Sequence, residues 1–429
     1  MKRVLLLATT TGYQTRSFGD AAERLGVELV FATDRCHMID DPWRDAAVPI
    51  RFYDEDASVS AIVESARERP IDGVLAVGDR PTVIAARVAS ALGLPWHSPE
   101  GAAIARNKLW TRERLGAAGL PVPWFISFEL YGHVKGLTPY MSVESYPCVV
   151  KPVALSGSRG VIRADDPASL EAAIARLRAL MQAPDIRAER SDAHATAVVE
   201  SFIPGREYAV EALLHHGGVH LFAIFEKPDR LDGPFFEETI YVTPPSLSDA
   251  EQTRIINAVA EAADAIGLSH GPIHAECRVN DEGIFVLEVA ARPIGGLCAR
   301  ALRLRIPNPQ SLIPLEDGLL RHALGESPAA WEREPCASGV MMIPIPRRGV
   351  FRGVEGVDQA SQVEHVDEVR VTAKLDQLLV PLPEGASYLG FIFARAERAR
   401  DVERALRTAH ARLRFAIDPE FPMRTFRPG

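Results

Sequence analysis

With 429 residues the chain is too long for one ordinary core, and two to four domains are expected. A composition of 47% hydrophobic and 24% charged residues is that of a soluble globular protein, and no apolar run reaches the roughly 18 residues of a membrane helix. The net charge of -9 argues against nonspecific nucleic-acid binding, which needs a basic field.

The opening segment MKRVLLLATT reads as a strand and loop rather than a signal peptide, so a cytoplasmic protein is expected. Short apolar runs then alternate with helical patterns: Arg3 to Ala8, a helix over Phe18 to Leu25, Val27 to Ala32, a helix over Ala57 to Arg69, Gly73 to Val77, and a helix over Thr82 to Leu92. That alternation predicts βαβ units on a parallel sheet. Two helix starts follow, with Ser98 capping before Pro99 and Asn107 as a second cap; Gly119 and Pro121 stop the second helix.

From Phe125 to Arg163 the pattern is strand-rich, followed by a helix capped by Asp166 with Leu170, Ile174, Leu177 and Met181 on one stripe. After a polar link, Ala183 to His194, strands dominate to Thr243. Ser248 then opens a capping-box helix with Ile255, Ile256, Val259 and Ile266 on its apolar face, closed by Gly267. Glu326 to Pro335 reads as a linker to a final unit of strands and a helix over Val402 to Leu413. Five widely spaced cysteines (Cys36, Cys148, Cys277, Cys298, Cys336) contain no C-x-x-C, so buried reduced thiols are expected.

Three stretches carry chemistry. In VVKPVALSGSRGV (149–161) a lysine before proline sits at the end of an extended strand. The loop after it offers hydroxyls, two glycines, free N–H groups and the charge of Arg159, the parts of a phosphate cradle; as plain structure it is a turn between strands. In VVESFIPGRE (198–207) a strand ends in Glu200 and passes through Phe202 and a Pro-Gly break to Glu207, a hinge that can present backbone groups to adenine and a carboxylate to ribose.

The third stretch is HAECRVNDEGIFVLEVAARPIGG (274–296). A three-residue hairpin loop, Asp281 to Gly283, with glycine in the left-handed position would set Asn280 opposite Ile284 and Glu276 opposite Glu288. Like charges across a sheet repel unless a cation lies between them, and magnesium suits two carboxylates plus substrate phosphates. Period two places Arg292 on the face of Glu288. The alternative is a solvated charged hairpin. His274-Ala275-Glu276 imitates a deaminase zinc motif, but its P-C-x-x-C partner is missing. Finally FEKPDRLDGPFFEETIY (225–241), long and rich in aromatics, is expected to bring Lys227, Phe235, Phe236 and Glu238 near substrates, although it also reads as a surface loop.

Together these stretches resemble the ATP-grasp superfamily of carboxylate-amine ligases over roughly Arg3 to His322. The resemblance implies an α/β and α+β multidomain fold: a Rossmann-like domain (1–107), a small lid subdomain (108–197), a large subdomain with the metal site (198–330) and a C-terminal α+β domain (335–429). It further implies that Lys108 and Lys151 contact ATP phosphates under a mobile loop of Ser156, Gly157, Ser158, Arg159 and Gly160. Glu200, Ser201, Phe202 and Ile203 would form the adenine hinge, and Glu207 would bind ribose. Glu276 and Glu288 would hold magnesium, with manganese as a substitute, and Arg292 would stabilise the reacting centre, with Gly295 and Gly296 beside the substrates.

Many members carry asparagine two residues after the second metal glutamate. Ala290 stands there instead, which implies that one magnesium is held more weakly or through water. The run EVAARPIGG (288–296) and the segments SGVMMIPIP (338–346) and PLPEGASYLGFIFA (381–394) look like the branch of bacterial L-amino-acid ligases. That branch implies amide or peptide-bond formation through an acyl phosphate, from a small carboxylate and an amine that are themselves amino acids, with no nucleic-acid or membrane partner and a homodimer as one oligomeric state. The alternatives are an ATP-grasp ligase or kinase with a non-amine acceptor, and a nucleotide-binding protein without catalysis. The latter leaves Lys108, Lys151, Glu276, Glu288 and Arg292 unexplained, since such charges are costly without a ligand.

Overall fold

The computed structural model describes residues 1–9, 14–34, 47–132, 142–307 and 310–420. Cys36 lies outside them. The N-terminal alternation folds as a parallel sheet of β1 (Arg3–Ala8), β2 (Glu28–Thr33), β3 (Val48–Pro49) and β4 (Gly73–Val77), in the order β3-β2-β1-β4. Helices α1 (Thr15–Leu25), α2 (Glu55–Glu68) and α3 (Thr82–Leu92) accompany it. α1 begins three residues earlier than its apolar stripe suggested, because the stripe starts only at the buried Phe18. The two caps act as expected: Ser98 accepts from Gly101 N–H at the start of α4 (Pro99–Ala105), and Asn107 accepts from Leu109 and Trp110 at the start of α5 (Lys108–Ala117).

A second, antiparallel sheet has the order β5-β8-β6-β7, from β5 (Phe125–Glu129), β6 (Cys148–Pro152), β7 (Ile162–Ala164) and β8 (Thr196–Ser201). Helix α6 (Pro167–Leu180), with the capping box of Asp166 and Ser169, buries Leu170, Ile174 and Leu177 against it, giving this unit a core of its own. The polar link beyond α6 contains the short α7 (Pro184–Arg187).

The remaining strands build around an eight-stranded sheet among the described residues. It takes β9 (Arg206–His215), β10 (Gly218–Glu226), β11 (Ile240–Thr243), β12 (Gly271–Asn280) and β13 (Gly283–Ala290) from one stretch, with α8 (Asp249–Ile266) packed on it. Next come β14 (Arg303–Pro307), β15 (Gln310–Pro314), α9 (Leu315–Ala323) and β16 (Glu332–Arg333), which form a small sheet and a helix. The expected linker over Glu326 to Pro335 is thus partly a strand: Glu332 and Arg333 pair with β14 and Trp331 is buried, features its run of charges conceals.

The last segment holds β17 (Ala337–Ile343), β18 (Gly349–Glu355), α10 (Val357–Ser361), β19 (Val366–Val371), β20 (Leu378–Leu379), β21 (Gly390–Ala396), α11 (Ala399–His410) and β22 (Arg414–Asp418). β17, β21 and β19 continue the large sheet, whose order is β13-β12-β9-β10-β11-β17-β21-β19. β11 pairs with β17 at four positions and with β10 at Glu226 and Val242. One apolar core joins the N-terminal sheet to this large sheet, and a second lies beneath the C-terminal strands and α11. No helix among the described residues is long and apolar enough to cross a membrane.

The β12–β13 hairpin departs from the expected register near its turn. Asn280 pairs with Gly283 rather than Ile284, around a two-residue turn of Asp281 and Glu282. Asn280 Oδ1 accepts from the N–H groups of Glu282 and Gly283, at 2.9 and 3.1 Å, which closes the turn early. Gly283 has φ +147°, outside the left-handed helical well. A bulge that leaves Leu287 as an extra residue then restores the alignment, and Glu276 stands opposite Glu288.

Candidate active site

A cleft of about 470 Å³ opens where the N-terminal sheet, the antiparallel β5-β8-β6-β7 sheet and the large sheet meet. Of the residues expected to bind nucleotide, Lys108, Lys151, Ser156, Gly157, Ser158, Glu200, Ser201, Phe202, Ile203 and Glu207 line it. Lys151, at the end of β6, donates to Oε1 of Glu200 on the neighbouring β8. Glu200 is also gripped by Arg112, one helical turn after Lys108 on α5, through Nε (2.9 Å) and Nη2 (3.3 Å). Arg112 Nη1 donates in turn to the carbonyls of Val286 and Leu287 at the bulge, at 3.1 and 3.0 Å. Burial opposes the charge on Glu200, but Arg112 and Lys151 outweigh it and hold the carboxyl at about 2. Burial also lowers Lys151 to about 8, against the pull of Glu200. The Glu200 side chain is therefore an anchor for two cations, and the hinge presents its backbone and the ring of Phe202.

Val149, Val161, Phe202, Ile203, Phe236 and Leu287 give this end of the cleft an apolar lining. Arg163 stacks 4.4 Å from the Phe202 ring centre, while Arg278 lies 5.0 Å from Phe202 and 5.6 Å from Phe236. Arg278 also donates to Glu207 Oε2 (2.8 Å), to the Ile203 carbonyl (2.8 Å) and to that of Leu231, tying the segment after β8, Glu207 and the loop at Leu231 together.

Deeper in, Glu276 and Glu288 face each other across the hairpin, and each has its own cation. Lys227 Nζ is 2.9 Å from Glu276 and Lys108 Nζ is 3.3 Å from Glu288. Lys227 also donates to Glu207 at 2.7 Å and to Glu238. The simple picture of two repelling carboxylates is thus incomplete. Lys227, expected near substrates, is buried beneath the cleft and does not line it. Its single charge serves Glu207, Glu238 and Glu276, whose oxygens lie within 4.8 Å of one another. Burial and the neighbouring Glu276 push Glu238 up to about 7, with Lys227 opposing.

His274 stands 3.2 Å from Glu211 and 3.7 Å from Glu276. Burial works against its charge, yet these two carboxylates raise it to about 9. Glu211 further accepts the Ile294 N–H at 3.1 Å on each oxygen, and Gln14 donates to the Ile294 carbonyl at 2.5 Å. The loop carrying Arg292, Gly295 and Gly296 is thereby pinned. Arg292 lines the cleft as expected, with its guanidinium held by Asp79 at the end of β4.

Three further expected residues do not line the cleft. Arg159 turns away to Asp185 (2.6 Å) and the Glu384 carbonyl (2.8 Å), and Gly160 donates to the Pro383 carbonyl at 2.8 Å. A Cβ on Gly160 would meet Leu177 and Leu180 at 3.0 and 3.1 Å, so that glycine serves packing against α6. Phe235 lies under the guanidinium of Arg176, 4.7 Å from its ring centre. In their place the C-terminal segment contributes Met342, Ala386, Ser387, Tyr388 and Phe391 to the wall.

Asp79, Arg112, Glu211 and Arg278 were not singled out from the sequence. Strand period two puts Glu211 on the face of Glu207, and Arg278 on that of Glu276; helical spacing puts Arg112 on the face of Lys108. Asp79 offered no local signal.

Residues 19–96 match the ATP-grasp N-terminal domain, 144–301 the ATP-grasp domain and 341–418 the L-amino acid ligase C-terminal domain 2. The crystal structure of the L-amino acid ligase from Bacillus licheniformis superposes with a TM-score of 0.80, covering 97% of this chain and 99% of that one at 28% identity. The D-alanine–D-alanine ligase of Gloeobacter violaceus is 30% identical over 220 residues, 49% of this chain and 67% of its own length. The Sinorhizobium fredii protein y4rH is 22% identical over 98% of this chain and 84% of its own. The chain belongs to the ATP-grasp superfamily of ATP-dependent carboxylate-amine ligases, and it carries the C-terminal domain of the L-amino acid ligases.

Proposed function

We propose that the chain joins two amino acids, or an amino-acid-like acid and amine, in an amide bond at the expense of ATP. The observation that carries this reading is the wall of Met342, Ser387, Tyr388 and Phe391, which closes the cleft beside Arg292 and Glu276. The same cleft mixes cations (Lys108, Arg292) with carboxylates (Glu276, Glu288), a lining that suits amino-acid substrates, which carry both charges. The relative from Bacillus licheniformis, an L-amino acid ligase by name, matches the chain along its length and supports the same reading.

In this scheme adenine lies against Phe202 and Phe236, ribose meets Glu207, and the phosphates meet Lys108, Lys151 and the N–H groups and hydroxyls of Ser156 to Ser158. A carboxylate oxygen of the first substrate attacks the γ-phosphorus, the bond to the β-phosphate oxygen breaks, and ADP is released from an acyl phosphate. The neutral amine nitrogen then attacks the acyl carbon, and the amide forms as the C–O bond to phosphate breaks and the nitrogen's proton passes to the departing phosphate. Arg292, already aligned by Asp79, offers two donors to the oxygen that gains charge at that carbon. Most of the rate gain comes from positioning and charge stabilisation, so no protein nucleophile is needed.

The donors around Glu276 fit magnesium: hard carboxylate oxygens of Glu276 and Glu288, with Glu238 close by and lifted to about 7 by its neighbours. When bound, magnesium supplies charge neutralisation on the phosphate oxygens. Ala290, where relatives bear a further ligand, is opposite His274 in register, so a protonated imidazole stands next to Glu276 on that side.

A pairwise amino-acid screen for phosphate release, with products identified by mass, tests the proposal. Phosphate release that needs two amino acids together and yields their condensation product supports it. Release that never depends on an amine would remove it.

A further inference from the structure

Five of the chain's 12 histidines gather at the opposite end of the large sheet from the carboxylates. His215 ends β9, His216 sits in the turn to β10, His220 lies on β10, His270 immediately precedes β12 and His322 belongs to α9. His215 contacts the rings of His216, His220, His270 and His322 at centroid distances of 4.5, 6.2, 5.4 and 5.3 Å. His216 and His270 are 4.9 Å apart. His270 and Glu276 are six positions apart along the chain, about 20 Å of strand.

The cluster is unlike an ordinary histidine packed in a core. His270 is 6% exposed, and its buried Nδ1 has no hydrogen-bond partner, a cost that native interiors seldom carry. His216 is exposed and adopts φ +52°, followed by Gly217 at +85°, so the hairpin turn uses two left-handed positions. That conformation brings its ring to His215 and His270. One ring nitrogen from each of the three lies within 4.8 Å of the other two.

We propose that His215, His216 and His270 form a binding site for a borderline divalent cation of the zinc, nickel or copper class, separate from the carboxylates of the cleft. Imidazole nitrogens suit these ions, whereas magnesium takes oxygen ligands. Nitrogens bound at about 2.0–2.1 Å around a tetrahedral ion stand about 3.3 Å apart, a closure that ring rotations of the exposed His216 and half-buried His215 supply. His322 Nε2 lies 3.1 Å from His215 Nδ1. When His215 donates across that contact, its Nε2 lone pair is left for the metal, which makes His322 a positioning residue. With three protein ligands and one exposed side the ion keeps a place for water, and it ties the β9–β10 turn to the start of β12.

The test uses the full chain after chelator treatment, titrated with Zn²⁺ alone by calorimetry and with Co²⁺ by visible absorption. One equivalent should bind, with the intense absorption of tetrahedral cobalt and a rise in unfolding temperature, and saturating Mg²⁺ should not displace it. His216→Asn, which tolerates the left-handed turn, and His270→Gln should each weaken binding at least tenfold. The metal-free unfolding temperature of His216→Asn should stay unchanged, whereas Glu276→Gln should bind as the parent does. Absence of a stoichiometric site, or parental affinity in either histidine variant, would overturn the proposal. So would loss of binding in Glu276→Gln or in excess Mg²⁺, which would place the ion at the carboxylates.

Discussion

Asp79 accepts two hydrogen bonds from Arg292, from Nε at 2.9 Å and from Nη2 at 3.2 Å, so a residue just past β4 of the N-terminal sheet sets the direction of a guanidinium that lines the cleft. Asp79→Asn keeps an acceptor but removes the charge-assisted pairing, and kcat should fall about tenfold with little change in KM for ATP. Arg292→Lys keeps charge but loses the planar fork, and should lower kcat by about 100-fold, as for a lost oxyanion donor. Steady-state and single-turnover kinetics decide. If Arg292→Lys weakens ATP binding while single-turnover amide formation runs at the normal rate, Arg292 is a nucleotide contact instead.

Glu276→Gln and Glu288→Gln should both abolish magnesium-dependent turnover, yet differ in stability. Cross-strand repulsion alone would make each variant no less stable than the parent. Lys227 keeps Glu207 and Glu238 when Glu276 is neutralised, but Glu276 also accepts from the Tyr241 hydroxyl and stands beside the buried His274, so Glu276→Gln should destabilise the metal-free chain by on the order of 1–3 kcal/mol. Lys108 keeps the Leu155 carbonyl at 2.6 Å when Glu288 is neutralised, and that variant should stay within about 1 kcal/mol of the parent. Thermal unfolding in chelator reads the difference, and phosphate release against magnesium concentration reads the activity.

Glu200 is held at about 2, below its ordinary value of 4.5. Its contribution to stability is complete above pH 4.5 and is lost as pH falls through 2. Glu200→Gln should therefore be less stable at neutral pH by on the order of 2–4 kcal/mol, because Arg112 and Lys151 lose their shared carboxylate. The gap between parent and variant should narrow as the solution is acidified toward about pH 3. Urea unfolding across that range measures it; a gap that stays constant would mean that Glu200 does not titrate as described.

Lys151→Ala should leave the fold intact, since Arg112 still compensates Glu200, and should weaken ATP binding about 10- to 100-fold, or roughly 1.4–2.8 kcal/mol. Unchanged affinity in a folded variant would remove Lys151 from the phosphate contacts.

The parts of the site that were legible in the sequence are those whose signal is local. A lysine before proline, a glycine-rich loop and a hairpin with opposed glutamates each need only a few neighbouring residues, and each lands at the cleft. The partners were not legible, because they come from far along the chain: Arg112 and Glu200 are 88 residues apart, Lys227 and Glu276 are 49 apart, and Arg292 and Asp79 are 213 apart. Arg159 illustrates the limit from the other side. Its place in the loop suggested a phosphate contact, but Asp185 and the backbone of Glu384 draw the guanidinium away. Nothing within the loop itself encodes that pull.

The position of β11 has a consequence for shortened versions of the chain. Ile240 to Thr243 rest on the C-terminal β17 along their whole length and on β10 at Val242. A chain cut before Ala337 would strip that cover and leave an apolar edge with unpaired backbone groups, a template for self-association. Tyr241, whose hydroxyl reaches Glu276 at 3.3 Å, sits on the strand that would come loose. The C-terminal segment is therefore a structural wall of the catalytic half, and its removal would end in insoluble protein before any question of substrate choice could be asked.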